Sequence, residues 1–178
     1  MHPLEKFKFC PICGSNNFKE NNGISKKCFD CGFTYYFNPR AATVAIIRNE
    51  KGELLTARRA KEPAKGTMDL PGGFIDSYET AEQGVAREVL EETGLKVDNQ
   101  KYLFSLPNIY PFSGIDIHTL DLFFECKIIG DAKVKAMDDV AELYWKDIKD
   151  INPEDFGLKS VREGVKMYKE MIINKKTF

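Results

Sequence analysis

The chain has 178 residues, of which 43% are hydrophobic and 30% charged, and its formal net charge is -1. This length and mix fit one soluble globular domain with a small appendage. A sequence pI near 6.2 gives no global basic field of the kind that attracts nucleic acid, and no apolar run reaches the roughly 18 residues of a membrane span.

The N-terminal "MHPLEKFKFC" has no apolar core of the length a secretory signal needs. The expectation is a cytoplasmic protein with its five cysteines reduced. Residues 1–36 are rich in Cys, Asn, Lys and Gly. The sequence holds Cys10-Pro-Ile-Cys13-Gly and Cys28-Phe-Asp-Cys31-Gly, with fourteen residues between Cys13 and Cys28. Each pair reads as a knuckle, a turn whose glycine lets two thiolates aim at one point. Two knuckles complete a tetrahedral four-cysteine site for structural Zn²⁺. Disulfides are the competing reading, disfavoured in a reducing compartment. Residues 1–40 hold six Lys or Arg against three acidic residues, a mild excess that reads as a solvated face.

"FNPR" at 37–40 is an extended joint, because Pro39 biases Asn38 away from the helix. It separates a ribbon over 1–36 from a second domain over 37–178. "AATVAIIR" (41–48) and "LLTARR" (54–59) read as strands joined by the "NEKGE" turn, a hairpin. "KEPAKGT" is a loop, and "MDLPGGFID" gives two short strands about a tight turn. Residues 78–93 carry the strongest helical pattern, with Ala81, Val85, Val89 and Leu90 as its apolar stripe. Ser77 is the expected cap and Gly94 the expected terminator. Strands follow at 101–112, 121–129 and 141–147. An amphipathic helix over 160–175, with Val161, Val165, Tyr168, Met171 and Ile172 inward, closes the chain. Cys126 lies in an apolar strand and reads as a small buried hydrophobe. The predicted fold is a mixed α/β sandwich preceded by the cysteine module.

Within "REVLEETG" (87–94), Glu88, Glu91 and Glu92 share one helix face, where like charges repel. A solvated acidic helix would account for these three. It would not account for Gly73, five residues, Glu79, seven residues, then Arg87-Glu88-x2-Glu91-Glu92-x-Gly94-Leu95 in one register. That register matches the Nudix box at every fixed position, and the chain resembles Nudix hydrolases over roughly residues 41–175. Hard carboxylate oxygens suit Mg²⁺ or Mn²⁺ with a substrate diphosphate completing the shell. Arg87 can pair with Glu91, and Glu79 can brace the arginine. The resemblance implies an α/β/α sandwich with a mixed sheet, the Gly72 carbonyl as a further metal ligand, and metal-assisted hydrolysis of a diphosphate. Glu88 is one candidate for the proton acceptor.

A ribbon before the box resembles the NADH pyrophosphatase branch of this superfamily, which also carries S-Q-P-W-P-F-P-x-S after the box. Here the stretch is "SLPNIYPFS" (105–113). Ser105, Pro107, Pro111 and Ser113 match and Tyr110 keeps an aromatic, whereas Leu106, Asn108 and Ile109 depart. Tyr110 and Phe112 are thus the expected stacking residues for a base. "DDVAELYW" (138–145) resembles the family's late acidic segment, and Glu142 is taken as its metal ligand. The resemblance implies cleavage of NADH- or NAD-like dinucleotides, ADP-ribose, a nucleotide sugar or NAD-capped RNA, in a homodimer. The alternative is a ligand-sensing or nucleic-acid-binding protein on the same scaffold. The intact carboxylates favour the enzyme.

Overall fold

The computed structural model describes residues 2–175. It divides into two compact units, Met1–Pro39 with Pro111–Ile117, and Arg40–Tyr110 with His118–Phe178.

In the first unit, strands β1 (Phe18–Asn22), β2 (Ser25–Cys28) and β3 (Thr34–Tyr36) form an antiparallel meander. The two knuckles are equivalent. The Gly14 N–H donates to the Cys10 carbonyl at 2.9 Å, and the Gly32 N–H to that of Cys28 at 3.0 Å. Both glycines have positive φ, 73° and 80°, which a side chain would disfavour. The buried core is small: Cys10, Phe18 and Cys28, with Phe33 packed against them.

The second unit contains β4 (Arg40–Ile47), β5 (Leu54–Arg59), β6 (Met68–Asp69), α1 (Ala81–Thr93), β7 (Lys96–Phe112), β8 (Ile115–Ile129), β9 (Val140–Lys146) and α2 (Lys159–Lys175). The outer ends of β7 and β8 belong to the first unit. Two three-stranded sheets run β4-β8-β7 and β6-β5-β9. β4 and β8 are parallel, so the first sheet is mixed.

The strand β4 explains the architecture. Residues 42–47 are buried without interruption, the signature of a strand covered on both faces. Val44 and Ile46 join a core with Leu70, Phe123, Phe156 and the α2 residues Val161, Val165 and Tyr168. Ala45 and Ile47 join a second core with Leu55, Phe124, Cys126 and the α1 residues Val85 and Val89. One helix packs on each core, which gives the expected α/β/α sandwich. The α2 stripe runs as predicted, although Met171 and Ile172 at its end are only half-buried.

Two local expectations are corrected. β4 and β5 are not a hairpin: beyond a single bridge, Arg48↔Leu54, β5 pairs with β6 and β9. Asn49 closes the turn by accepting from the N–H groups of Lys51 and Glu53 at 3.0 Å. A strand that is apolar on both faces then takes an interior partner, β8, in place of its sequence neighbour. The cap of α1 is Thr80, not Ser77. The Thr80 hydroxyl accepts from Gln83 N–H at 3.2 Å and the Gln83 side chain accepts from Thr80 N–H at 2.8 Å, a reciprocal capping box. Tyr78, at φ 71°, keeps the helix from starting earlier. Gly94 ends α1 in the left-handed region, as predicted. Among the described residues no helix is long and apolar enough to cross a membrane.

Candidate active site

The loop 71–75 lies along α1, with Gly72 at Glu92, Phe74 at Arg87 and Ile75 at Gly84, and it is zipped onto β4. Ala45 N–H donates to the Pro71 carbonyl at 2.7 Å, Thr43 N–H to that of Gly73 at 2.8 Å, and Ile75 N–H to that of Ala41 at 3.1 Å. The Gly72 carbonyl between them accepts no hydrogen bond among the described residues. Gly72 has φ 153°, and a Cβ there would lie 2.1 Å from the Thr43 carbonyl oxygen. Only glycine lets this loop lie so close to the strand.

Arg87 organises the acidic face. Its guanidinium donates to Glu79 at 2.6 and 3.2 Å, to Glu88 at 2.8 Å, to Glu91 at 3.0 Å and to the Phe74 carbonyl at 3.0 Å. The predicted pairing with Glu91 and bracing by Glu79 are both present. The guanidinium pulls the Glu79 carboxyl below its ordinary range. Glu92 turns the other way and accepts from the Gly72 N–H at 2.9 Å.

Gly72, Glu88, Glu91 and Glu92 line a cleft of about 370 Å³, together with Arg40, Arg59, Asp69, Asn108, Tyr110, Asp121, Asp138 and Asp139. That volume is at the small end of ligand pockets. Burial pushes the Glu92 carboxyl well above its ordinary range, helped by the charges of Asp69, Glu88 and Asp139. Burial also raises Glu88 and Asp69, the latter against the pull of Arg59. Glu92 has no cationic side chain paired with it among the described residues, and the cleft holds more carboxylates than arginines, so a hard cation fits this donor set. Glu88, Glu91, Glu92 and the Gly72 carbonyl are the groups that would hold it.

The raised carboxyls predict a pH dependence. The folded state without a cation binds more protons than the unfolded chain above the ordinary carboxylate range. Its stability therefore falls as pH rises through the folded-state pKa values. Thermal unfolding of protein washed free of Mg²⁺ should drop in temperature between about pH 5 and about pH 8. Added Mg²⁺ should restore it, more at the higher pH. An equal Mg²⁺ effect at both ends would contradict the assignment.

Tyr110 reaches the cleft. Its ring meets Phe74 edge-on at 5.7 Å, and its hydroxyl accepts from Arg59 at 3.3 Å. The Arg40 guanidinium lies 4.6 Å from the Phe74 ring centroid. Phe112 does not line the cleft; it is 59% exposed near the hairpin tip of the first unit. Glu142 is also not brought to the cleft. It pairs with Arg58 at 2.9 Å and accepts from the Tyr144 hydroxyl, and it is drawn below its ordinary range chiefly by that hydroxyl. Residues paired across strands share a face, and Arg58↔Glu142 sits on the face opposite Ala57 and Arg59, which line the cleft. The acids of that segment in the cleft are Asp138 and Asp139, with Asp139 paired to Lys61. The sequence reading missed both, along with Arg59, Asp69 and Asp121. A strict alternation count from Val140 would have separated Glu142 from them only if the irregularity at Arg58/Arg59 were known.

In the first unit, the Sγ atoms of Cys10, Cys13, Cys28 and Cys31 lie within 4.8 Å of one another. The Cys31 backbone N–H, then that of Asp30, pulls the Cys28 thiol down to about 7. The Ser15 N–H also pulls on Cys13, but its sulfur neighbours and desolvation carry that thiol up to about 12. Four sulfurs this close cannot all ionise unaided, and they fit a tetrahedral thiophilic cation.

Comparison with known proteins agrees with this geometry. The model of the NUDIX domain family matches residues 38–164. The chain is 35% identical over 112 residues to the NAD-capped RNA hydrolase NudC of Vibrio cholerae, covering 63% of this chain and 41% of that protein. It is 32% identical over 137 residues to the Vibrio vulnificus protein of the same name, covering 74% and 52%. The chain thus spans about half the length of these relatives. A crystal structure of a NUDIX hydrolase from Nitrosomonas europaea superposes with a TM-score of 0.72 at 26% identity, covering 92% of this chain and 90% of that one. With the family's glutamates gathered around Arg87 and its model matched over most of the sequence, this chain belongs to the NUDIX domain family.

Proposed function

We propose that this chain is a metal-dependent hydrolase of the diphosphate bond in a nucleoside diphosphate linked to another group. NAD-like dinucleotides, an NAD cap on RNA and ADP-ribose are the substrate class. The observation that carries this reading is the set of Glu88 and Glu91, braced by Arg87, with Glu92 on the Gly72 N–H, along one cleft. The relatives named for NAD-capped RNA hydrolysis support the choice of a capped or dinucleotide substrate. A ligand sensor on this scaffold would have no use for so complete an acidic set.

Mg²⁺ or Mn²⁺, when bound, would neutralise the diphosphate and acidify a water. Glu91, Glu92 and the Gly72 carbonyl would hold that cation, against which the diphosphate would be placed. Arg87 keeps Glu88 and Glu91 oriented. Glu88, whose carboxyl burial raises above its ordinary range, takes the proton as the water oxygen attacks phosphorus. The bridging P–O bond breaks and its electrons leave with the departing phosphate. Residues 37–178 form the catalytic domain, and residues 1–36 a Zn²⁺ ribbon whose role is structural.

Product chromatography tests this reading. NADH should give AMP and nicotinamide mononucleotide, because hard cations stabilise charge on phosphates and have no role at a glycosidic bond. Release of free nicotinamide, or turnover of a nucleoside triphosphate far faster than NADH and ADP-ribose, would overturn it.

A further inference from the structure

The cleft has two chemically different ends. One carries the glutamates with Asp138 and Asp139. The other is one face of the β4-β8-β7 sheet. Side chains alternate along a strand, so Arg40 and Ala42 of β4, Thr119 and Asp121 of β8, and Asn108 and Tyr110 of β7 all face it. The β7–β8 turn is Ser113–Gly114, with φ 51° and 75°, the two-residue turn of an antiparallel hairpin. Phe104 stacks on Phe123 at 4.8 Å. Counting equally toward the turn from these two rings sets Asn108 opposite Thr119.

Asn108 is the unexplained group at this end. It is only 7% exposed, it lines the cleft, and its carboxamide makes no hydrogen bond among the described residues. No fully enclosed side-chain N or O among the described residues lacks a partner, so the Asn108 carboxamide opens into the cleft, where a ligand can supply the partner that the protein does not. Its neighbour Asp121, 5% exposed, accepts from the hydroxyls of Thr119 and Ser160, and each carboxylate oxygen keeps a lone pair. This end does not suit a phosphate: Asp121 would repel it, Arg59 is committed to Asp69, Pro63 and Tyr110, and Arg40 stacks on Phe74.

We propose that Asn108, with Asp121 beside it, determines specificity by reading the edge of a base. The edge it selects sets an N–H₂ donor beside an acceptor. Adenine has this edge, and so does a ring carboxamide. The amine donates to the oxygens of Asp121 or Asn108, the Asn108 N–H₂ donates to the neighbouring acceptor, and the rings of Phe74 and Tyr110 offer stacking faces. An oxygen in place of the amine would face carboxylate lone pairs with no proton between them. The proposal rests on the hydrolase reading only in placing the phosphates at the glutamate end.

Calorimetric titration with mononucleotides in Mg²⁺ tests it, since they contain no diphosphate to cleave. Two matched pairs differ at the amine: AMP against IMP, and nicotinamide mononucleotide against nicotinic acid mononucleotide. In at least one pair the amine-bearing member should bind about tenfold to hundredfold more tightly, the discrimination of a good bidentate contact. The pair that discriminates identifies the half seated here. Asn108→Leu should abolish the difference without lowering the unfolding temperature, because no internal hydrogen bond is lost. Should that variant unfold early, Asn108→Ala provides the same readout. Absence of discrimination in the wild-type protein, or its survival in a folded variant, would overturn the proposal. Binding is read without turnover, so an inactive protein that still discriminates would refute the hydrolase reading and leave this one standing.

Discussion

Replacing Glu92 by glutamine is expected to lower turnover of a diphosphate substrate about a thousandfold, the loss of several kcal/mol of cation-assisted charge stabilisation. The fold should survive. Glutamine has the same size, and its side-chain oxygen can still accept from the Gly72 N–H that Glu92 engages at 2.9 Å. Glu92 is 8% exposed, and its charge is disfavoured by burial and by Asp69, Glu88 and Asp139. Its removal should therefore leave the unfolding temperature of the Mg²⁺-free protein unchanged or higher, while shrinking the rise that Mg²⁺ produces. Steady-state rates and thermal unfolding with and without Mg²⁺ report both effects. A variant that turns over at the wild-type rate would remove this helix face from the mechanism.

The second large effect concerns the cysteines. Purified protein should carry about one zinc per chain, since four thiolates complete one tetrahedral site. Among the described residues, the first unit's buried apolar side chains are Leu4 and the cluster of Cys10, Phe18 and Cys28 with Phe33 against it, too little apolar surface to hold three short strands without a staple. Cys13→Ser, or removal of the zinc, should thus melt β1–β3, seen as loss of the dispersed amide resonances of residues 18–36. The two cores that flank β4 should keep theirs. Metal-free protein with an ordered ribbon would show that something other than zinc holds the cysteines together.

What could be read from the sequence follows the range of each interaction. The glutamate face lies on one helix, where residue spacing alone sets geometry, so Arg87, Glu88 and Glu91 meet as expected. The knuckles are likewise local. Assignments on strands depended on partners that spacing does not reveal. Glu142 was placed with the ligands, but the irregular register at Arg58/Arg59 puts Val140 and Glu142 opposite adjacent β5 residues, and Glu142 pairs with Arg58 away from the cleft. Phe112 and Tyr110 share a strand face, yet β7 runs on past the cleft and carries Phe112 into the other unit. Arg59 and Asp69 come together only through the β5–β6 pairing, and Asp121 and Asn108 only through the β4-β8-β7 sheet. Of the three departures in residues 105–113, Asn108 faces the cleft while Ile109, one residue on, is exposed. The alternation of β7 thus separates a substitution that changes recognition from one that does not touch it.

Arg87 gives the two proposed metal sites opposite dependences on their ions. Its guanidinium already occupies oxygens of Glu88 and Glu91, so it serves as a built-in counterion that keeps the acidic helix intact when no divalent ion is present. A cation arriving there must displace or share that contact, and one leaving finds the arginine ready to replace it. The glutamate site is therefore suited to reversible loading, with occupancy following the free Mg²⁺ around it. The ribbon has no such cationic substitute among the described residues: its sulfurs face one another and backbone N–H groups, and the ion proposed there would be as integral to the fold as a core residue.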